Sequence, residues 1–139
     1  IDRELGKRNP LRILVAEDNS VNQKVVRSML GRLGYEADFV GNGVEAVSSV
    51  ERQRYDVILM DVQMPVMDGL EATRHIRTLV DHARQPYIVA VTAHTLQGDR
   101  EDCLAAGMDA YLGKPFRLHD LERILSTRRE HPFAGAATA

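Results

Sequence analysis

Apolar positions along this chain fall into two alternating patterns. Unbroken runs of strand length, LRILVA (11–16), VILM (57–60) and YIVAVT (87–92), are separated by stretches in which apolar residues recur every three or four positions. Unbroken runs predict strands buried on both faces, and the three-to-four period predicts helices laid against them. Val21, Val25, Met29 and Leu33 form one helical stripe, opened by Asn19 or Ser20 as a cap and stopped by Gly34. A weaker strand runs from Tyr35 to Val40. Asn42-Gly43 then turns the chain into a short helix marked by Val44, Val47 and Val50. After VILM, Asp68-Gly69 opens a helix whose inner face carries Leu70, Thr73, Ile76 and Val80. A helix over Gly98–Ala106 is stopped by Gly107, a short strand covers Asp109–Leu112, and Pro115 precedes a last helix with Leu118, Leu121 and Leu125.

The order is strand–helix repeated five times, which predicts an α/β fold: a parallel sheet covered on both faces. Residues 1–10, IDRELGKRNP, are polar, end in proline and predict a linker or lead-in. Residues 11–127 form one domain, and the small-residue stretch from His131 closes a C-terminal tail over 128–139.

Composition narrows the function. With 139 residues, 44% hydrophobic and 27% charged, the chain suits one domain with a substantial core. A formal net charge of −2 gives no reason to expect nucleic acid. The single cysteine, Cys103, fits a reducing, cytoplasmic setting and reads as a small core-facing residue. No stretch is long enough to span a membrane, so no membrane contact is expected of this domain. The chain begins at Ile1, which suggests a piece cut from a longer polypeptide.

The chemistry lies where the strands stop. Ligands in open parallel sheets bind beyond the carboxyl ends of the strands. There the first strand runs into Glu17-Asp18, the third into Asp61, the fourth into Thr92, and the fifth into Gly113 followed by Lys114-Pro115. An acid at a strand end is ordinarily a turn residue or a helix cap. Three acids, a hydroxyl and a lysine on one edge are another matter. Close carboxylates repel and call for a cation. Oxygen donors favour Mg²⁺ or Ca²⁺, and a shallow site that keeps waters suits Mg²⁺. With the metal and Lys114 present, the pocket would draw a phosphoryl group, and Asp61 stands where a carboxylate could attack phosphorus and become an acyl phosphate.

The stretches ILVAEDN, DVILMDVQMPVMDG, VAVTAH and GMDAYLGKPF together resemble the response-regulator receiver domain, the phosphoacceptor module of two-component signalling. The resemblance covers residue 11 to about 127. It implies a flavodoxin-like (βα)5 fold, a doubly wound three-layer sandwich with strand order 2-1-3-4-5. It implies Asp61 as phosphoacceptor, with Asp18 binding Mg²⁺ directly, Glu17 through water, and the Gln63 carbonyl completing the set. Thr92 and Lys114 would hold the phosphoryl group, Tyr111 would move with Thr92 as a switch, and Lys114-Pro115 would be cis. In that family the positions of Gln63 and His94 border the path of attacking water, so the resemblance implies that both tune the phosphoryl lifetime, although His94 reads equally well as a solvent-facing loop residue.

EDNSVNQKVV and DREDCLAAGMDAYLGKP look most like receivers attached to hybrid sensor histidine kinases, a likeness that allows for tethering to a membrane-bound sensor. The partners implied are a histidine kinase or a histidine-containing phosphotransfer domain. A homodimer through the fourth helix, fifth strand and fifth helix is a further expectation. A stand-alone single-domain regulator is the alternative context. An aspartyl-phosphate phosphohydrolase would need an acid two residues after Asp61, where Gln63 stands. A flavin or nucleotide module would want a phosphate loop in place of the acidic Glu17-Asp18-Asn19-Ser20.

Overall fold

The computed structural model describes residues 2–93 and 97–128. Five parallel strands, β1 (Ile13–Ala16), β2 (Ala37–Val40), β3 (Val57–Asp61), β4 (Tyr87–Thr92) and β5 (Ala110–Gly113), form one sheet in the order β2-β1-β3-β4-β5. Among the described residues six α-helices and one 3-10 turn (His82–Arg84) accompany them: α1 (Leu5–Arg8), α2 (Ser20–Arg32), α3 (Gly43–Arg52), α4 (Gly69–Leu79), α5 (Gln97–Ala106) and α6 (Leu118–Arg128). The expected sheet and strand order are both present.

Side chains on a strand alternate between faces, so each unbroken apolar run feeds two cores. Ile13, Val15, Val57, Leu59, Val89, Val91 and Leu112 pack with Val26, Leu30, Leu121 and Leu125 of α2 and α6. Leu14, Ala16, Ile58, Met60, Ile88 and Ala90 pack on the other face with Ala46, Ala72, Ile76 and Cys103 of α3, α4 and α5. Cys103 is a buried core residue, as expected. Register aligns the strand ends: Asp61 lies beside Val91, and Thr92 beside Gly113, the residue before Lys114.

The helix faces differ from expectation in two places. On α2 the buried residues are Val26 and Leu30, while Val21 and Val25 are 64% and 49% exposed. A strict spacing of four drifts around a helix of 3.6 residues per turn, so Val21 and Val25 leave the face that Leu33 occupies. On α3 the buried positions are Gly43, Ala46 and Ser49, and Val44 points outward. Asn19, Asn42 and Asp68 cap α2, α3 and α4, each side chain accepting from the backbone N–H three residues on.

The lead-in is the larger correction. Residues 2–9 are not a linker but a folded segment carrying α1, with Leu5 and Asn9 buried against the domain. Leu5 joins the core cluster, and that burial anchors a stretch that is otherwise polar. Of the expected tail over 128–139, only Arg128, which ends α6, lies within the described residues.

Candidate functional site

Beyond the carboxyl ends of β1 and β3, the carboxylates of Glu17, Asp18 and Asp61 converge, with donor atoms within 4.8 Å of one another. Glu17 and Asp61 are 4% and 6% exposed, whereas Asp18 faces solvent. From the β5–α6 loop, Lys114 reaches across and donates from Nζ to Glu17 Oε1 and Asp61 Oδ2, both at 2.8 Å. The Lys114-Pro115 peptide is cis. Backbone donors hold the remaining oxygens: Asn19 N–H donates to Glu17 Oε2 at 2.9 Å, and Gln63 N–H to Asp61 Oδ1 at 3.1 Å. Behind Asp61 the first residue of α4 must be glycine, because a Cβ on Gly69 would sit 2.2 Å from the Asp61 carbonyl oxygen.

One cation between two buried acids divides unequally. Burial pushes Glu17 up, but the bonds from Lys114 and Asn19 outweigh it and leave its carboxyl below the ordinary range. For Asp61, burial prevails over the bond from Lys114, the charge of Glu17 adds to it, and the carboxyl is held above its ordinary value. Burial lowers the Lys114 ammonium, yet the two carboxylates more than compensate and raise it. Asp61 is thus the carboxylate with unmet need for positive charge. An all-oxygen set of three acids at that point fits a hard divalent cation such as Mg²⁺.

Thr92 ends β4 with its side chain buried, and its carbonyl accepts from Lys114 N–H at 2.8 Å. Tyr111 is half-buried, packs on the α3–α5 side and carries the Arg100 guanidinium 4.9 Å over its ring. Gln63 lies beside Asp18 in the cleft of the β3–α4 loop. His94 lies outside the described residues. The structure therefore brings Glu17, Asp18, Asp61 and Lys114 into direct company, with Gln63 and Thr92 at the margin through their backbone. Sequence reasoning missed Gly69 and the Asn19 N–H as parts of the site. Glycine at the start of a helix was the available signal for the first.

Fold and site together define a class: a doubly wound α/β domain whose acidic pocket suits a divalent cation beside a lysine. The family model for the response regulator receiver domain matches residues 13–126, and the chain belongs to that family. Among known proteins it resembles Histidine protein kinase 1 of Candida albicans, at 43% identity over 131 residues, covering 88% of this chain and 5% of that protein. Among solved structures, the receiver domain of the sensor histidine kinase PA1611 from Pseudomonas aeruginosa PAO1 is 54% identical with a TM-score of 0.77, covering 84% of this chain and 95% of that one. That structure holds a magnesium ion in its active-site cleft. A chain in the complex of the Saccharomyces cerevisiae phosphotransfer protein Ypd1 with the receiver of Ssk1 is 32% identical, at a TM-score of 0.77 and coverage of 84% and 86%. The chain spans between 4% and 16% of the length of the first curated relatives it matches. No helix among the described residues is long and apolar enough to cross a membrane.

Proposed function

We propose that Asp61 accepts a phosphoryl group from a phosphohistidine, on a histidine kinase or a phosphotransfer domain, within a cytoplasmic phosphorelay of the hybrid-kinase type. The observation that carries this reading is the Lys114 ammonium bonded at once to Asp61 and Glu17, with Asp18 alongside. An Asp61 oxygen attacks phosphorus, the P–N bond to histidine breaks, and an acyl phosphate O–P bond forms. Freed histidine nitrogen takes up a proton. Lys114 can follow the charge from the carboxylate to the phosphoryl oxygens without leaving the pocket. Asp18, Asp61, the Gln63 carbonyl and Glu17 through water would hold Mg²⁺, which when bound neutralises charge on the transferring group. The Thr92 hydroxyl supplies a further hydrogen bond, and its shift toward the phosphoryl group frees space for the ring of Tyr111. By the same resemblance, Gln63 and His94 set the lifetime of the phosphorylated state.

The donor docks on the apolar groove between α2 and the β5–α6 loop. Val25, Val26, Met29 and Phe116 line it, and Glu17 and Lys114 stand at its edge toward the site. Exposed Val21 extends that surface along α2. Two copies would meet through α5, β5 and α6, where Leu104 is exposed.

The test is intact mass after incubation with Mg²⁺ and a small acyl phosphate. One phosphoryl group added to the native protein, and none to Asp61→Asn or without Mg²⁺, is the expected result. Equal labelling of Asp61→Asn would overturn the assignment.

A further inference from the structure

Residues 2–9 join the far ends of two helices whose near ends flank the acceptor pocket. α2 starts two residues after Asp18, and Asn19, its cap, donates to Glu17. α6 starts at Leu118, in the loop that carries Lys114. At that end the helices are tied by the Lys114–Glu17 bond of 2.8 Å. At the opposite end, Gly6 N–H donates to the Leu33 carbonyl just past α2 at 2.9 Å. The backbone crosses Gly34 so closely that a Cβ on Gly6 would lie 2.1 Å from the Gly34 oxygen. Gly34 itself sits at φ +88°, in the left-handed region. Asn9, 6% exposed, donates from Nδ2 to the Leu125 carbonyl in α6 at 3.1 Å, and its own carbonyl accepts from Tyr35 Oη at 2.6 Å. Asp2 N–H donates to Glu122 Oε2 at 2.8 Å. Leu5 completes the joint, sharing a core cluster with Leu33, Tyr35, Leu121 and Leu125.

We propose that residues 2–9 form a latch that positions α6 against α2, and that its docking and the filling of the acceptor pocket reinforce each other. The proposal rests on the phosphoacceptor reading of Asp61. With the latch docked, α2 and α6 are fastened at both ends, and Lys114 is held toward Asp61 and Glu17. With it open, α6 keeps only the site end and its apolar face, so Lys114 is less well aimed. The latch has one buried apolar side chain and a handful of hydrogen bonds. Elements with so few contacts open well below the cost of global unfolding. Coupling between two sites is reciprocal, so whatever a docked latch adds to pocket affinity, a filled pocket adds to latch closure.

Hydrogen exchange on the whole chain, with and without Mg²⁺ and beryllium fluoride as phosphoryl mimic, tests this directly. Filling the pocket should slow exchange at residues 5–9 by about fivefold, the low end of measured couplings. Gly6→Ala, which cannot cross Gly34, and Leu5→Asp should bind beryllium fluoride about fivefold more weakly. Leu5→Met, which keeps the apolar contact, should retain the native affinity. If the native protein takes up the mimic while latch exchange stays unchanged and Leu5→Asp binds as tightly as native, the latch is passive and the proposal is wrong. If the native protein takes up none, the phosphoacceptor reading fails and the latch proposal falls with it. Should the variants not fold, exchange on the native protein decides alone.

Discussion

Lys114 and Asp61 stand 53 residues apart in sequence and meet at 2.8 Å between Nζ and Oδ2. That bond leaves Asp61 only partly compensated, since Glu17 shares the same ammonium. A carboxyl whose folded value is raised weakens the fold as pH climbs through that value, because the native state then carries a charge it disfavours. Asp61→Asn should therefore stabilise the protein at neutral pH without Mg²⁺. Adding Mg²⁺ should raise the melting temperature of the native protein more than that of the variant. Thermal melts of both, with and without the metal, check this. Lys114→Ala should slow phosphoryl uptake by about 100-fold, the cost of losing one well-placed charge-stabilising donor, read by intact mass over time.

Gly69 abuts the main chain of Asp61. The added methyl of Gly69→Ala would fall 2.2 Å from a backbone oxygen that has no freedom to yield. Overpacking of this kind costs about 1–3 kcal/mol. The variant should unfold at lower urea and take up phosphoryl more slowly, because the strand end carrying Asp61 must shift.

Arg77 fastens α4 to the β4 and β5 side of the sheet. It donates to the Gly107 carbonyl, Gln85 Oε1 and the Pro86 carbonyl, each at 2.8 Å, and to Asp109 Oδ2 at 2.7 Å. Asp109 in turn accepts from Ile88 N–H at 2.8 Å. Asp109→Ala should cost about 2 kcal/mol, below the 3–5 kcal/mol of a fully buried pair because both side chains keep some contact with water. The midpoint of urea unfolding measures it.

Tyr55 gives the fold a signature at high pH. Burial first, and then its bond of 2.6 Å to Asp38 Oδ2, push the phenol up to about 12. A group raised in the folded state contributes stability that is whole below its unfolded value and lost as pH rises through its folded value. Tyr55→Phe should cost about 1 kcal/mol at pH 8. The gap to the native protein should close between about pH 10, the unfolded value, and 12. Paired urea titrations across that range would show it, and a gap constant with pH would count against the bond.

The pocket was legible because a charge that ends an apolar run has no local partner. Asp61 after VILM, and Lys114 after a short strand, each demanded something distant, and the strand order supplied it. Helix faces were less legible. Valine is apolar whichever way it points, so Val21 and Val25 read as core until the geometry of α2 turned them outward. The lead-in was not legible at all. Ile1 and Leu5 are two hydrophobic residues in an otherwise polar decapeptide, too few to set a period, and the Gly6–Gly34 crossing joins two glycines that each look like an ordinary turn. Contacts that are both long-range and aperiodic leave no local trace.

The two-faced alternation along β3 sets a demand on arithmetic rather than chemistry. Val57 and Leu59 face α2 and α6, Ile58 and Met60 face the opposite layer, and Asp61 falls next in turn. Any apolar residue of suitable volume can serve at the first four places. Lengthening or shortening the run by one, however, would send the carboxylate to the other layer, away from Lys114. At this strand, substitutions are negotiable and insertions are not.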